Sequence, residues 1–416
     1  MKKNINVLII GANFTNKGAE AMLKVVKQQL QRNHARVTCY MVCRGYEREL
    51  AESAGFLPVF DTSAPRQGKV KGFMYRVKGK LYKVITGKTL PWYFPFPFGE
   101  IEEIVDRLDA VIDISGFAYA DSWGKPMIDE TIRLISICKQ RQVKIFFMPQ
   151  AWGPFELAGV SKSARKMLMT ADGFYARDAV SRQYLAKLLD RAPVDIPMLS
   201  DIVFSMGGEE AGNERPIHYP DRPATEKRLR IGISPNIRVY EKLTGAGPDN
   251  TYMRVLLALC RHCMETLGAE ITLIPNELFP DGVIHTDDRT LCRQIYQLLG
   301  KPEACTLLDG YASAETIRGH IRDLDLLVSS RFHALIFGFL ERRPVMAISW
   351  SHKYRELFEL FDLEKYVIES DAIDERSVIA RFQELLAEKD DVTRRIDARI
   401  PSLKERVDHM FNRLLA

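Results

Sequence analysis

The chain has 416 residues, of which 46% are hydrophobic and 27% are charged, and its formal net charge is +5. This length exceeds one ordinary core and predicts two α/β domains, while the composition excludes a disordered or fibrous chain. So weak a basic excess suits an anionic substrate or a membrane surface and gives no argument for a nucleic-acid partner. The seven cysteines show no framework spacing, so we expect reduced, mostly buried thiols.

The N-terminal sequence MKKNINVLIIGANFTNKG joins two lysines to a short apolar run that ends at Gly11. No small-residue cleavage site follows, which favours a buried first strand over a signal peptide. No later stretch approaches the ~18 apolar residues of a membrane-spanning helix. We therefore expect a cytoplasmic protein.

The first half of the chain alternates apolar, strand-like runs with amphipathic stretches, the first of which predicts a helix over residues 18–32. This alternation predicts a parallel sheet covered by helices on both faces. The predicted strands lie at residues 6–10, 37–43, 109–114, 144–148 and 173–176.

A polar stretch rich in glycine and proline, residues 207–228, interrupts this pattern and predicts an interdomain linker. A second series follows, with strands at 230–234, 270–274, 305–308, 325–329 and 345–348, and helices at 253–267, 290–299, 312–321 and 334–340. We predict a Rossmann-like N-terminal domain at 1–206, a Rossmann-like C-terminal domain at 229–390, and a helix at 391–416 that packs back across the domain boundary. Two doubly wound domains facing a cleft constitute a glycosyltransferase-B-like fold, in which ligands bind at the carboxyl ends of the strands.

One segment, Arg66–Lys88, carries eight basic residues and no acidic residue, with aromatic side chains such as Phe73 and Tyr82 between them. Lysines meet anionic headgroups and aromatic rings lie at the interface, so this composition is typical of peripheral contact with a membrane. The alternative is a solvated loop or helix with a partly buried aromatic end.

The turn Gly11–Gly18 joins the first strand to the first helix. Glycines there allow close approach of the backbone, and the start of the helix offers free N–H groups and a positive dipole end. The turn is neither a Walker A loop nor G-x-G-x-x-G, so it does not indicate nucleotide binding.

Basic side chains follow three neighbouring strands of the second series. Arg331 and His333 come after the strand DLLVSS, Arg238 follows the first strand of this series, and Lys353 follows the strand VMAIS. Because parallel strands end at the same edge of a sheet, we expect these groups to share one edge of the cleft. Arginines with a titratable imidazole predict an anion site with an acid–base group.

Three motifs resemble the polysaccharide pyruvyl transferases: N-x-G-x-E-A at Asn16–Ala21, V-x-S-R-F-H at Val328–His333, and PVMAISWSHK at Pro344–Lys353. The colanic-acid pyruvyl transferase branch is similar along nearly the whole chain. The chain departs from the family pattern at Ala19, where members often have an acidic residue. It departs again after the third strand, where Gly116 stands in place of a Gly-Gly pair.

The resemblance implies transfer of pyruvate from phosphoenolpyruvate to sugar hydroxyls, as a ketal, during biosynthesis of an exopolysaccharide or a cell-surface glycan. It assigns the anionic groups of the donor to Arg331 and Arg238, phosphate departure to Lys353, and proton transfer to His333. No metal and no cofactor are required, since the cationic side chains supply the charge. The acceptor is a sugar, for which a lipid-linked oligosaccharide is one form.

Polar and aromatic residues near the other strand ends are the candidates for acceptor contacts: Asn16, Glu20, Ser115, Tyr119, Asp121 and Trp152. His285 and Asp288 are lesser candidates for the cleft. The alternative for that loop is a structural role, in which carboxylates accept hydrogen bonds from backbone N–H groups.

Two other functions fit parts of the sequence. A nucleotide-sugar glycosyltransferase of the same architecture would explain the E-x7-E spacing of Glu356 and Glu364, and Asp323 with Asp325 forms a D-x-D. A non-catalytic sugar-binding protein would explain the change at Ala19, but the retained Arg331, His333 and Lys353 argue against it. The sequence leaves the oligomeric state open.

Overall fold

A computed structural model describes residues 4–60, 96–207, 228–281, 283, 286–370 and 373–415. The basic segment Arg66–Lys88, His285 and all but the first and last residues of the linker 207–228 lie outside them. The chain forms two compact units, Met1–Asn13 with Lys27–Leu199 and Phe14–Val26 with Ser200–Ala416.

The first unit contains a parallel sheet of six strands in the order β3-β2-β1-β4-β5-β6. Its strands are β1 (Asn4–Ile10), β2 (Arg36–Val42), β3 (Leu57–Val59), β4 (Ala110–Asp113), β5 (Lys144–Gln150) and β6 (Gly173–Ala176). The five predicted strands are confirmed. The edge strand β3 escaped prediction because three residues, one of them a proline, are too few to show a period.

Helix α1 (Lys17–Asn33) begins in the second unit and ends in the first. The other helices of the first unit are α2 (Arg48–Ser53), α3 (Phe98–Ile104), α4 (Lys125–Lys139), α5 (Ala158–Thr170) and α6 (Ala179–Leu189). Helices α4 and α5 turn buried side chains such as Leu134 and Met167 into the same core as the strand residues Leu8 and Phe147.

The second unit contains a parallel sheet in the order β12-β11-β10-β7-β8-β9. Its strands are β7 (Arg230–Ser234), β8 (Glu270–Leu273), β9 (Cys305–Leu307), β10 (Leu326–Ser329), β11 (Val345–Ser349) and β12 (Val367–Glu369). The five predicted strands are again confirmed, and again a three-residue edge strand, β12, escaped prediction.

The helices of the second unit are α7 (Ile237–Lys242), α8 (Thr251–Arg261), α9 (Asp288–Leu298), α10 (Ala314–Arg322), α11 (Phe332–Leu340), α12 (Lys353–Glu359), α13 (Glu375–Ala387) and α14 (Lys389–Leu414). A π-helical turn, His262–Thr266, extends α8, and a 3₁₀ helix, Ile202–Ser205, opens the second part of this unit. Helix α14 and that 3₁₀ helix pack together, and Ser205 Oγ donates a hydrogen bond to Asp408 Oδ1. Both partners belong to the second unit.

Numbered from its own first strand, each sheet has the order 3-2-1-4-5-6, which is the doubly wound Rossmann order. Strand β4 and strands β10 and β11 are buried along their whole length, as parallel strands covered on both faces are. The predicted fold class, with two Rossmann-like sheets, is confirmed. In such sheets the switch in strand order places ligands at the carboxyl ends of β1 and β4, and of β7 and β10.

The segment Phe14–Val26 packs with the second unit, whereas the sequence assigned it to the N-terminal domain. Two backbone hydrogen bonds hold its start, from Lys17 N to Asn276 O (3.0 Å) and from Leu278 N to Thr15 O (2.7 Å). Ser200–Met206 belongs to the second unit in the same way. The sequence shows no sign of this assignment because both segments continue directly from elements of the first unit.

All seven cysteines are free and buried, as the sequence predicted. Within the described residues, no helix combines the length and hydrophobicity needed to cross a membrane.

Candidate functional site in the second unit

The carboxyl ends of β7 and β10 lie side by side, because Ser234 pairs with Ser329. Asn236, just after β7, caps α7 by accepting a hydrogen bond from Arg238 N (2.9 Å). Its side-chain amide donates to Ser330 O (3.1 Å) at the end of β10. This amide therefore ties together the two turns that carry Arg238 and Arg331.

Arg331 and Arg238 are brought together by a carboxylate that sequence reasoning missed. Nη2 of Arg331 donates to Glu277 Oε2 (2.7 Å), and Nη2 of Arg238 donates to Glu277 Oε1 (3.2 Å). The same nitrogen of Arg331 also donates to Asp288 Oδ1 (2.5 Å). Nε of Arg331 is buried and has no acceptor among the described residues. One N–H of this guanidinium is thus unsatisfied within the described residues.

The charges of this cluster support one another. Burial alone would raise the pKa of Glu277, but the charges of Arg331 and Arg238 outweigh it and hold the pKa below its usual value. Burial opposes the charge of Arg331, yet Asp288 and Glu277 raise its pKa. Arg238 also has a raised pKa, because the charges of Glu277 and Glu241 outweigh its burial. At Asp288, in contrast, burial raises the pKa in spite of the charge of Arg331.

Asp288 is fully buried at the start of α9. Its Oδ1 accepts from Ile237 N (3.0 Å), and its Oδ2 accepts from Asn276 N (3.1 Å) and Glu277 N (2.8 Å). These contacts are those of the structural alternative, in which a carboxylate accepts hydrogen bonds from backbone N–H groups. Asp288 also forms an ion pair with Arg331. Its predicted neighbour His285 lies outside the described residues.

His333 is the second residue of α11 and is held on two sides. Its Nε2 lies 3.5 Å from Oδ2 of the buried Asp201. On the other side, a Cβ added to Gly18 would stand 1.9 Å from Nδ1 of the imidazole. Only glycine leaves room for the ring there, which gives this residue of the N-x-G-x-E-A motif a physical role.

Lys353 begins α12 after β11 and lies over the aromatic side chains of the same edge. Its Nζ is 5.3 Å from the ring centroid of Phe332 and 4.6 Å from that of Trp350. Lys242, at the end of α7, approaches the Trp350 ring at 4.5 Å. Phe332 separates Arg331 from His333 in the chain, so Lys353 lies beside the turn that carries both.

Asn16 and Glu20 lie in the second unit and have intramolecular partners. Asn16 Oδ1 caps α1 by accepting from Gly18 N (3.0 Å). The carboxylate of the buried Glu20 accepts hydrogen bonds from Lys17 Nζ (2.9 Å), Lys24 Nζ (2.8 Å) and Ala314 N (3.2 Å). Burial would raise the pKa of Glu20, but the two lysines outweigh it and lower the pKa. These contacts fasten α1 to the second unit.

In the first unit, Ser115 lies at the carboxyl end of β4, beside a buried aspartate that the sequence analysis overlooked. Asp113 accepts from Ser115 N (2.9 Å) and Oγ (3.1 Å), Tyr119 OH (2.7 Å) and Gln150 Nε2 (3.3 Å). Burial raises the pKa of this carboxyl in spite of the four donors. Its signal in the sequence was its place at the end of a predicted strand.

The aromatic candidates of this unit serve its core. Tyr119 is 1% and Trp152 is 0% exposed, and their rings stack at 5.5 Å, so neither offers a face to a sugar in this structure. Asp121 accepts from Glu156 N (2.7 Å) and Leu157 N (3.2 Å), which fixes the loop before α5. Ser115 alone of this group combines partial exposure with a place at the end of a strand.

Two features bear on metal and nucleotide chemistry. In the part of the chain that the structure describes, no group of three or more His, Cys, Asp or Glu side chains is arranged to hold a metal ion. Asp325 of the D-x-D accepts a hydrogen bond from Arg230 N (2.8 Å) and so ties β10 to β7. The contact of the Asp325 carboxylate is therefore a structural one between two strands.

Solved structures with similar folds are distant in sequence. UDP-GlcNAc 2-epimerase from Neisseria meningitidis, bound to UDP-GlcNAc, has a TM-score of 0.59 at 10% identity, with 98% of each chain covered. A UDP-N-acetylglucosamine 2-epimerase from Listeria monocytogenes, described as putative, has a TM-score of 0.58 at 11% identity, with 98% of this chain and 94% of that chain covered. A spinosyn rhamnosyltransferase has a TM-score of 0.50 at 12% identity, with 97% of this chain and 100% of that chain covered. These likenesses define the class of fold, glycosyltransferase-B-like with two Rossmann units.

The family is shown by a family model, polysaccharide pyruvyl transferase, which matches residues 16–352. The chain belongs to this family and is therefore a transferase of polysaccharide biosynthesis. No curated protein sequence matches it significantly. The matched range begins at Asn16 and includes Arg238, Glu277, Arg331 and His333, while Lys353 is the first residue after it.

Proposed function

We propose that the protein transfers the pyruvyl group of phosphoenolpyruvate to two hydroxyls of a sugar, and that the carboxyl edge of the second sheet binds this donor. The observation that carries the proposal is the guanidinium of Arg331. Glu277 and Asp288 hold it through Nη2, while its buried Nε lacks an acceptor among the described residues. A buried, unsatisfied N–H of a charged group is costly, and an anionic ligand satisfies it.

The donor carries a carboxylate and a phosphate, so its site needs at least two cationic groups. Arg331 and Arg238 supply them, and their shared contact with Glu277 fixes the distance between the two guanidinium groups. Lys353 then assists the departing phosphate as a point charge. The turn that carries Arg331 is held by Tyr354 OH, which donates to Ser330 O (2.7 Å), so the site is organised before the donor arrives.

His333 transfers protons in this proposal. The methylene carbon of the donor gains a proton, and the first sugar oxygen bonds to the neighbouring carbon. The bond from that carbon to the phosphate oxygen breaks, and the second sugar oxygen closes the ketal. The sugar loses two hydroxyl protons, one of which balances the proton on carbon while the other leaves with phosphate. An imidazole can both give and accept protons near neutral pH.

The acceptor is a sugar of a growing polysaccharide, and the resemblance to the colanic-acid branch favours an exopolysaccharide precursor. A lipid-linked oligosaccharide would bring the reaction to a membrane surface, for which the composition of Arg66–Lys88 is suited. Ser115, at the carboxyl end of β4, is the acceptor candidate with partial exposure in the first unit.

The first experiment measures phosphate release from phosphoenolpyruvate with lipid-linked and free oligosaccharides, with mass spectrometry of the product. We expect sugar-dependent release and a product heavier by one pyruvyl group. His333→Ala should lower the rate by about 10²- to 10⁴-fold, the usual contribution of a general acid–base group. His409→Ala, at an exposed histidine of α14, is the matched control and should match wild type.

Donor binding is tested separately by calorimetry. Arg331→Lys keeps the charge but loses the fork of N–H donors, so we expect at least tenfold weaker binding of phosphoenolpyruvate. Arg254→Lys, at an exposed arginine of α8, should bind as wild type does. If no acceptor consumes the donor and calorimetry detects no binding, the proposal fails, and transfer from sugar nucleotides is measured next.

A further inference from the structure

Asp201 presents a buried carboxylate to His333 from an element that carries no other part of the proposed site. It caps the 3₁₀ helix Ile202–Ser205, with Oδ1 accepting from Val203 N (3.0 Å). The second oxygen, Oδ2, points to His333 Nε2 at 3.5 Å. One carboxylate oxygen thus anchors the residue and the other faces the imidazole.

The surroundings of the ring restrict how it can move. Gly18 lies against the ring, where an added Cβ would stand 1.9 Å from Nδ1 and 2.0 Å from Cγ. Phe332 meets the ring edge to face, with centroids 5.3 Å apart. Nε2 is buried and makes no hydrogen bond within the part of the chain that the structure describes. The carboxylate of Asp201 lies within ion-pair distance of it, at 3.5 Å.

We propose that Asp201 is the positioning residue for His333, holding the proton on Nε2 and leaving Nδ1 for the reacting groups. A carboxylate only accepts hydrogen bonds, so its approach selects the imidazole tautomer that is protonated at Nε2. A separation of 3.5 Å is long for a charge-assisted hydrogen bond, but such contacts in unliganded sites often shorten when the substrate binds.

The support for Asp201 comes from the second unit itself. The 3₁₀ helix packs on α11, which carries His333, and on α14, where Asp408 bonds to Ser205. The carboxylate is 1% exposed on its side chain, so its contact with the imidazole is shielded from water. A shielded contact orients the ring more strongly than an exposed one would, because water competes less for the same groups.

This inference rests on the proposed role of His333, and a double-mutant cycle separates the two. Asp201→Asn keeps the oxygen that caps Val203 N but removes the charge that faces the imidazole. We expect kcat to fall on the order of 10²-fold while the affinity for phosphoenolpyruvate stays unchanged. Combined with His333→Ala, the substitution should cause no further loss, because its effect passes through the histidine.

Ser205→Ala is the matched control, since it removes the contact of the same 3₁₀ helix with Asp408 of α14, and it should keep wild-type kcat. Wild-type kcat in Asp201→Asn, or additive losses in the double variant, would overturn the role of Asp201 while leaving the proposed function intact. Full activity in His333→Ala would overturn both.

A measurement on the unmodified site covers the case in which Asp201→Asn does not fold. In ¹⁵N NMR spectra of histidine-labelled protein, the signals of His333 are assigned by their loss in His333→Gln. We expect the pattern of the tautomer protonated at Nε2. A tautomer protonated at Nδ1 would contradict the inference.

Discussion

The two sheets share one topology but present different chemistry at their carboxyl edges. In the first unit, Asp113 is surrounded by neutral donors, a serine, a tyrosine and an amide, and burial raises its pKa. In the second unit, Glu277 lies between two arginines, whose charges lower its pKa. The fold fixes where the strand ends meet, and the side chains decide whether that edge suits an anion.

The largest expected effect concerns the buried carboxylate that organises the second edge. Asp288→Ala removes one of the two carboxylates that bind Arg331 and leaves three backbone N–H groups without their acceptor, so we expect a loss of about 3–5 kcal/mol in the free energy of unfolding. Urea denaturation followed by circular dichroism measures it. Asp281→Ala removes a carboxylate that is 79% exposed and should change stability by less than about 0.5 kcal/mol. Equal losses in both variants would contradict the assignment.

Two glycines at the second position of their helices allow a matched test of the contact with His333. A Cβ at Gly18 would meet the imidazole at 1.9 Å, whereas one at Gly99 of α3 would meet nothing within 4 Å. Gly18→Ala should cost about 1–3 kcal/mol through overpacking and abolish sugar-dependent phosphate release. Gly99→Ala should gain up to about 1 kcal/mol from helix propensity and keep the activity. Thermal unfolding and phosphate release measure both, and an active Gly18→Ala would disprove the tight packing.

The two carboxyls should respond to pH in opposite directions. The folded pKa of Asp113 is raised above its ordinary value of 3.8, so the folded state loses stability as pH rises through the interval above that value. The folded pKa of Glu277 is lowered from 4.5, so its contribution is present above that value and is lost as pH falls.

Stability measured from about pH 4 to about pH 8 tests this opposition. Relative to wild type, Asp113→Asn should gain on the order of 1 kcal/mol as pH rises, while the loss in Glu277→Gln should be largest near neutrality and shrink in acid. Parallel pH curves for wild type and both variants would show that neither carboxyl titrates differently on folding.

The last prediction, with the smallest effect, concerns the thiols of both units, which we expect to be unreactive in the native protein. Burial raises the pKa of Cys39, Cys138, Cys263 and Cys305 to about 12, and all seven cysteines are buried. Only thiolates react readily, so a thiol reagent should label none of them in the native protein at about pH 8 and all seven after denaturation. Rapid labelling of the native protein would indicate that one unit opens easily, and the labelled cysteines would identify it.

Much of the fold could be predicted because parallel strands buried on both faces produce short apolar runs, such as NVLII and VMAIS, between helices. The edge strands Leu57–Val59 and Val367–Glu369 could not, since three residues carry no period. The assignment of Phe14–Val26 to the second unit depends on backbone hydrogen bonds with Asn276 and Leu278. A local sequence pattern does not predict contacts between residues so far apart in the chain.

The residues of the candidate site that directly follow a strand could be predicted from the sequence, because the strands themselves could be. Arg238 and Arg331 follow β7 and β10, and parallel pairing brings those ends together. Glu277, 54 residues before Arg331, was not predictable because its position depends on the path of the loop after β8. Tyr119 and Trp152 show a second limit, since an aromatic residue near a strand end has the same sequence signature whether it is stacked inside or exposed.

The path of the chain bears on how the protein is synthesised. The polypeptide leaves the first unit after Asn13, returns to it at Lys27, and leaves it again after Leu199. Domains usually fold in order as they emerge from the ribosome. Here the segment Phe14–Val26, which includes the buried Met22 and Leu23 of α1, belongs to a unit whose other residues begin at Ser200 and are translated later. A nascent chain halted before that point would hold this segment without the rest of its unit. A gene fragment encoding only the C-terminal half would lack Gly18, the glycine that makes room for His333.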